Sequence, residues 1–248
     1  MQNIKITGVL RDSPADLAGI KEGDFLVSLN NARPLDVFDY RLAAMEETIK
    51  ITVERNNSHL YFIIEKDEDE DIGLTFESGL MDDVRNCHNN CLFCFVSQNP
   101  KGVRPTLMLK DDDYRMSYLM GNYITLTNMD KSDFRRITKL RLLPMNISVH
   151  AITPKVRKQL LRNPNSGQLW RTLKFFKHSK VTMNFQIVLC KNLNDGKELT
   201  KTIKKLARLM PYAASLSIVP VGLTRYRHGH TPLELFSPEE AGAIVRQV

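Results

Sequence analysis

Three thiols fall within eight residues, in Cys87-His88-Asn89-Asn90-Cys91-Leu92-Phe93-Cys94, and the fourth cysteine, Cys190, lies far along the chain. Neighbouring loop cysteines cannot all meet the geometry of a disulfide, and a cytosolic chain rarely uses such a trio for that purpose. Metal is the better reading. A structural zinc ion needs a fourth ligand and usually a second Cys/His pair at matched spacing. Here His88 sits inside the loop and no later C-x-x-C exists. An iron–sulfur cluster normally takes four cysteines. Three leave one iron without a protein ligand, which is where a substrate or cofactor can coordinate.

The elements around this loop must place it. From residue 81 onward strands alternate with helices. A short strand is expected around Asp83–Arg85 and a β-branched one over Gly121–Thr127. Asp130 and Ser132 then cap a helix that buries Phe134, Ile137 and Leu140. Met145–His150 reads as the next strand. Thr153-Pro154 opens a helix with Val156, Leu160 and Leu161 inward, and Ser166 caps another bearing Leu169, Trp170, Leu173 and Phe176. Val181–Cys190 is a long strand, Asn194-Asp195 leads a helix with Leu199, Ile203, Leu206 and Met210, and Ala213–Pro220 is the last strand. This order implies a parallel sheet, a βα barrel or an open one. Only one strand lies between the cysteines and Ile147, so a barrel would be partial. Chemistry in such folds sits at the C-terminal strand ends, which picks out Thr127, Asn128, Ser148, His150, Gln186, Cys190 and Pro220-Val221.

The first stretch is different in kind. Ile4, Ile6 and Val9-Leu10 start a strand, Ser13-Pro14 opens a short helix that Gly19 closes, and Phe25-Leu26-Val27 is a second strand. Phe38, Leu42 and Met45 recur at helical spacing. Ile49, Ile51 and Val53 alternate as a strand that Asn56-Asn57 turns into Leu60–Ile64. Residues 1–80 hold 8 Lys and Arg against 16 Asp and Glu, a net of −8; residues 81–248 hold 27 against 12, a net of +15. The break points to two units with different electrostatic tasks. Hydrophobic residues at 42% support real cores. No basic-then-apolar leader opens the sequence and no stretch approaches the roughly 18 apolar residues of a membrane span. A cytoplasmic location and no membrane partner are expected. Ser237-Pro238-Glu239-Glu240 reads as a capping box whose helix still runs at Val248, so a continuation is expected.

The C-x-x-x-C-x-aromatic-C spacing, with Phe93 as the aromatic, resembles that of radical SAM enzymes. The resemblance implies a [4Fe-4S] cluster on Cys87, Cys91 and Cys94. It further implies S-adenosylmethionine chelated at the open iron and cleaved reductively to a 5′-deoxyadenosyl radical, with an electron donor such as flavodoxin or ferredoxin. The stretch Ser-Pro-Ala-Asp-Leu-Ala-Gly-Ile…Gly-Asp-Phe-Leu-Val resembles a PDZ domain over roughly residues 1–78. Its carboxylate loop would be displaced to Ile72-Gly73-Leu74-Thr75-Phe76, as in circularly permuted PDZ domains. A protein or peptide partner is implied there, although the acidic run Glu65–Asp71 would repel a carboxylate. Together with Pro-Lys-Gly-Val-Arg, Lys-Asp-Asp-Asp-Tyr-Arg, Gly-Asn-Tyr-Ile-Thr-Leu-Thr-Asn and Val-Pro-Val-Gly-Leu-Thr, these segments are similar to a bacterial family of iron–sulfur oxidoreductases. That family joins a PDZ domain, a radical SAM core and a C-terminal domain of unknown function. The expected fold is therefore α/β, with a mostly β PDZ-like domain at 1–78 and a partial radical SAM βα barrel at 79–248.

One departure stands out. Radical SAM proteins usually carry a Gly-Gly-Glu-Pro-like run after the second strand, and this chain has Thr125-Leu126-Thr127-Asn128 there. Thr127 and Asn128 are the candidates to replace its contact with the cofactor's amino group. Phe93, Ser148, His150 and Gln186 complete the candidate cofactor site. Asp111-Asp112-Asp113-Tyr114-Arg115 reads as a solvated, self-paired loop rather than a holder of a basic substrate, Lys101, Arg104 and Lys110 as anion holders or solvated cations, and Cys190 as an inert buried thiol rather than a second metal ligand or radical quencher. Arg225, Arg227, His228 and His230 form a basic loop, but without aromatic interleaving nucleic acid is not the expected partner. The competing function is a non-catalytic iron–sulfur redox sensor or scaffold that uses the PDZ-like domain to bind a partner.

Overall fold

A computed structural model describes residues 4–248; residues 1–3, part of the first strand's expected approach, lie outside the described residues. The chain divides into two compact units, Met1–Val84 and Arg85–Val248.

The first unit is an antiparallel sheet carrying two short helices. Strand β1 (Ile4–Val9) leads to α1 (Pro14–Ala18), β2 (Phe25–Leu29), α2 (Val37–Ala44), β3 (Thr48–Arg55), β4 (Ser58–Glu65) and β5 (Leu74–Phe76). The sheet order is β4-β3-β2-β1-β5. Local chemistry sets the turns. Ser13 Oγ accepts from the Asp16 N–H and Gly19 closes α1 at φ +91°, the left-handed conformation that glycine adopts without strain. Arg55 pairs with Ser58, so β3 and β4 join through a two-residue loop, with Asn56 and Asn57 both at positive φ. Ile6, Leu26, Ile49, Ile51 and Val53 form the buried face. Helix α2 turns differently from its apolar spacing. Val37, Phe38 and Tyr40 are buried, while Leu42 and Met45 are 51% and 56% exposed. Asp36 caps this helix through the Phe38 N–H and so fixes which residues face inward.

In the second unit α3 (Tyr114–Met120) and α4 (Lys131–Lys139) precede β6 (Met145–Ser148). Helices α5 (Pro154–Leu161) and α6 (Leu169–His178) lead to β7 (Met183–Leu189), followed by α7 (Gly196–Ala207), β8 (Ala213–Pro220) and α8 (Pro238–Gln247). The three strands are parallel in the order β6-β7-β8. The class is mixed α/β, and three strands make an open sheet rather than a closed ring. Along β7, Met183, Phe185, Ile187 and Leu189 are buried while Asn184, Gln186 and Val188 are half-buried, the period-two signature of a strand. The strand expected around Asp83–Arg85 is absent, and only Asn86 bridges to Asp111. Gly121–Thr127 likewise contributes one bridge, Ile124 to Ile147 of β6. Met210 falls beyond α7 and is exposed, while Thr202 is buried instead. Among the described residues no helix is long and apolar enough to cross a membrane.

Candidate metal centre

The cysteine loop is held at its start, middle and end. At its start the Cys87 N–H donates to the Lys110 carbonyl at 2.7 Å, and the Asp112 N–H donates to the Arg85 carbonyl at 3.0 Å. In its middle the N–H groups of Asn90 and Leu92 donate to the carbonyls of Leu161 and Leu160. The last carbonyls of a helix have no partner within it, so α5 ends in acceptors that the loop satisfies. At its end the buried Gln98 donates through Nε2 to the carbonyls of Cys94 and Gly222, and its Oε1 accepts from the Thr224 N–H. Arg227 donates to the Leu92 carbonyl at 3.2 Å. The segment after β8 thus clamps the loop that the earlier elements shape.

Behind the loop lies a buried polar wedge. Asn89 Nδ2 donates to Cys87 Sγ at 3.2 Å and to Thr125 Oγ1 at 2.8 Å. Its Oδ1 accepts from Asn163 Nδ2 at 2.9 Å and from the Thr127 hydroxyl at 3.1 Å. Thr125 gives both its N–H and its hydroxyl to Asp112, at 2.5 Å each. Burial raises the Asp112 carboxyl above its ordinary range, against the hydrogen bonds from Thr125 and the charge of Arg157. Asp112 and Asp113 are both buried, so the acidic run is self-paired but not solvated: Asp113 holds Arg115 at 2.6 Å.

In front of the loop is a cavity of about 520 Å³. Cys87, Cys91 and Cys94 line it together with Phe93, Thr125, Ser148, His150, Gln186 and Val188, and Lys110 and Asp111 are its charged lining residues. The three thiols are half-buried and free. Burial, reinforced by the charges of Cys87 and Cys94, pushes the Cys91 thiol up to about 12, and burial also raises Cys87. Thiols so placed stay protonated until a metal displaces the proton. Among the described residues no three His, Cys, Asp or Glu side chains converge on the position of a single ion. A polynuclear cluster asks for something else, because each thiolate binds a different iron and the ligands stand further apart. An all-sulfur donor set opening on a cavity fits that group.

His150 follows β6 at φ +62°, a strained conformation for a residue with a Cβ. Its Nδ1 accepts from the Val188 N–H at 3.1 Å and its ring lies 4.5 Å from that of Phe93. Burial, with the nearby Arg157 charge, lowers its pKa to about 3, so the ring is neutral and Nε2 carries the proton. Between about pH 6.5 and 3 the unfolded chain binds a proton here that the folded chain refuses. This part of the stability is complete above pH 6.5 and is lost as pH falls toward 3. Asparagine tolerates the left-handed backbone and can keep the acceptor, so His150→Asn flattens the fall of the urea midpoint over that window. An unchanged slope would show that His150 does not carry it.

Arg157 stands on the inward face of α5 and is 2% exposed. Its guanidinium donates to the carbonyls of Val149, Ser148, Thr125 and Ser166, at 2.6 to 2.9 Å. Burial lowers its pKa to about 10, opposed by the charges of Asp112 and Cys91, so it remains a cation near the thiols at neutral pH.

The structure therefore gathers Cys87, Cys91, Cys94, Phe93, Ser148, His150 and Gln186 around one cavity. Thr127 and Asn128 are not among its lining residues. Thr127 joins the wedge, and Asn128 donates to the Asn86 carbonyl while its Oδ1 is buried without a partner. Cys190 is fully buried with Phe93, Ala151, Leu160 and Leu161. Sequence reasoning missed Asn89, Arg157 and Gln98, and it placed Asp112 in a solvated loop where the structure buries it. For Arg157 a signal existed, an arginine flanked by the apolar positions 156, 160 and 161 of one helix.

Over residues 66–216, more than half of the chain, the sequence matches the family described as a radical SAM-like domain. No curated protein matches it significantly. Among solved structures, the PDZ domain of the SdrC-like protein from Listeria monocytogenes superposes with a TM-score of 0.29 at 15% identity, covering 34% of this chain and 96% of that one. A radical SAM methyltransferase from Sphaerobacter thermophilus gives a TM-score of 0.36 at 16% identity, covering 94% of this chain and 76% of the other. Structural likenesses this weak carry no weight for activity.

Proposed function

We propose that this chain, which belongs to the radical SAM-like domain family, holds a [4Fe-4S] cluster on Cys87, Cys91 and Cys94 and binds S-adenosylmethionine beside it. The observation that supports this best is the three-thiol wall of the cavity, with no fourth protein sulfur in it. Held by Cys87, Cys91 and Cys94, such a cluster would supply one-electron reduction of the sulfonium of S-adenosylmethionine and so the radical chemistry for taking hydrogen from a substrate.

The chain's own residues supply binding, orientation and exclusion of water. Cys87, Cys91 and Cys94 would hold the cluster as thiolates, with the cofactor's amino and carboxylate groups beside it in the cavity. The neutral His150 offers an Nε2 donor into the cavity without a competing charge, and Phe93 packs against its ring. Ser148 at the end of β6, Gln186 within β7 and Thr125 beside the Ile124 bridge line the cavity and offer hydrogen bonds there. Thr127 and Asn128 act from behind, Thr127 through Asn89 and Asn128 through Asn86, and so hold the loop that presents Cys87. The Arg157 cation offsets the negative charge that three thiolates bring into a buried site. The strands and helices of the second unit form part of a βα barrel in this reading. A flavodoxin or ferredoxin is the electron donor, in the reducing cytoplasm where free thiols persist.

Anaerobic reconstitution with iron and sulfide, followed by dithionite and S-adenosylmethionine, tests the activity. The expected product is 5′-deoxyadenosine with methionine in equal amount. A fully loaded cluster that yields neither would overturn the proposal.

A further inference from the structure

The polar wedge behind the cysteine loop has a direction, and main-chain groups set it. The Asn165 N–H donates to Asn163 Oδ1 at 2.9 Å, which fixes the oxygen end of the Asn163 amide. Asn163 Nδ2 then donates to Asn89 Oδ1 at 2.9 Å and fixes that amide in turn. The nitrogen of Asn89 is left to Thr125 Oγ1 at 2.8 Å and Cys87 Sγ at 3.2 Å, one hydrogen for each. On the other flank the Thr125 hydroxyl gives its proton to Asp112, beside the bond from its own N–H, so toward Asn89 it can only accept. The Thr127 hydroxyl lies 3.0 Å from Nδ2 and 3.1 Å from Oδ1, serves either atom, and so does not decide the orientation. Asn89, Asn163, Thr125 and Asp112 are all buried, where water does not compete for these bonds. An amide whose ends are otherwise interchangeable is thus locked with an N–H on the sulfur of Cys87.

The free thiol of Cys87 stands for the thiolate that would hold iron. Burial raises this thiol, and the Asp112 charge adds to the rise; the main-chain N–H and the side-chain amide of Asn89 oppose both by favouring the thiolate. The same preference acts on electrons. A cluster that takes up one electron gains a negative charge spread over its iron-bound sulfurs. An N–H aimed at one of those sulfurs stabilises the reduced state more than the oxidised one, since hydrogen bonds strengthen with the charge on the acceptor. Such donors to ligand sulfur raise a cluster's reduction potential.

We propose that Asn89 is a positioning residue for reduction of the cluster: its Nδ2–H bond to Cys87 Sγ raises the reduction potential, and Asn163 on one side and Thr125 with Asp112 on the other hold the amide in the orientation that does so. The inference rests on the cluster assignment to Cys87, Cys91 and Cys94. Leucine at position 89 keeps the branching at Cγ and has no N–H, so Asn89→Leu makes the cluster harder to reduce. Thr127→Val removes a hydroxyl from the same wedge and leaves the bond to sulfur in place. Asn163→Leu leaves Asn89 intact and frees its amide to turn.

The full chain and its three variants are reconstituted anaerobically with iron and sulfide and titrated with dithionite in the presence of redox mediators, without S-adenosylmethionine. Electron paramagnetic resonance of the reduced cluster reads the midpoint, and iron analysis reads the loading. With iron at about four atoms per chain, Asn89→Leu should lower the ratio of reduced to oxidised cluster at a given potential about tenfold, the worth of one hydrogen bond to a charged group, or about 59 mV for one electron. Thr127→Val should leave that ratio within about twofold. Asn163→Leu should lower it by less than Asn89→Leu, and it decides the matter if Asn89→Leu takes up no iron. An unchanged or raised midpoint in a loaded Asn89→Leu, or in Asn163→Leu where it decides, would overturn the inference, as would an equal fall in Thr127→Val. A wild-type chain that shows no cluster signal would sink the cluster assignment and this inference with it, whereas a loaded chain with unshifted variants sinks this inference alone.

Discussion

Cys91→Ala leaves the reconstituted protein colourless, with iron falling from about four atoms per chain to below one, whereas Cys190→Ala keeps both colour and iron. Three protein ligands are the fewest in the chain's loop, and removing the central one leaves two thiolates to hold four irons. The loop keeps its shape in the variant, because Asn90 and Leu92 remain bonded to the end of α5 and Gln98 still holds the Cys94 carbonyl. The loss is therefore chemical rather than a collapse of the loop. Cys190 differs in every respect. Its N–H is held by Asn194 Oδ1 at 2.7 Å, and burial pushes its thiol up to about 12. It packs among apolar side chains, so alanine there costs about 1 kcal/mol of packing and no iron. Visible absorption and iron analysis after anaerobic reconstitution check both variants. Full iron in Cys91→Ala, or none in Cys190→Ala, would sink the ligand assignment.

The grouping of Cys87, Cys91 and Cys94 was legible because the three thiols are local, within eight residues of chain. So were the Asp130 and Ser237 capping boxes and the Asn56-Asn57 turn, where a few neighbouring residues decide the geometry. The failures share a cause at long range. Gly121–Thr127 has strand composition, yet the Thr125 N–H goes to Asp112 and the Thr125 carbonyl to Arg157. Two buried side chains take the place of a β ladder there, and strand propensity yields to them. An aspartate in an acidic run and an arginine on a short helix ordinarily face water, and only the apolar positions 156, 160 and 161 around Arg157 pointed the other way. Thr127 and Asn128 follow from the same substitution: the irregular segment turns them toward Asn89 and Asn86 rather than into the cavity.

That dependence makes Arg157 a residue whose loss the second unit tolerates poorly. Its guanidinium joins Thr125, the end of β6 at Ser148 and Val149, and Ser166 ahead of α6. In Arg157→Met the carbonyls of Ser148, Thr125 and Ser166 lose the guanidinium, the Val149 carbonyl keeps only the Ala151 N–H at 2.7 Å, and Asp112 loses its compensating cation. At about 1 kcal/mol for each bond, with the unpaired charge of Asp112 added, the variant is destabilised by roughly 3–5 kcal/mol. For a unit of this size the melting temperature falls by about 10 °C. Lysine keeps the charge but cannot spread its single ammonium over four acceptors, so Arg157→Lys recovers less than half of the loss. Urea unfolding monitored by near-ultraviolet circular dichroism measures both. A loss under about 1 kcal/mol in Arg157→Met would show that water or repacking satisfies the carbonyls and that the guanidinium is dispensable. The ordering of the two variants carries the further lesson. If Arg157→Lys equals wild type, the site needs only a positive charge near Cys91; if it resembles Arg157→Met, the site needs the fork that ties the strand ends together.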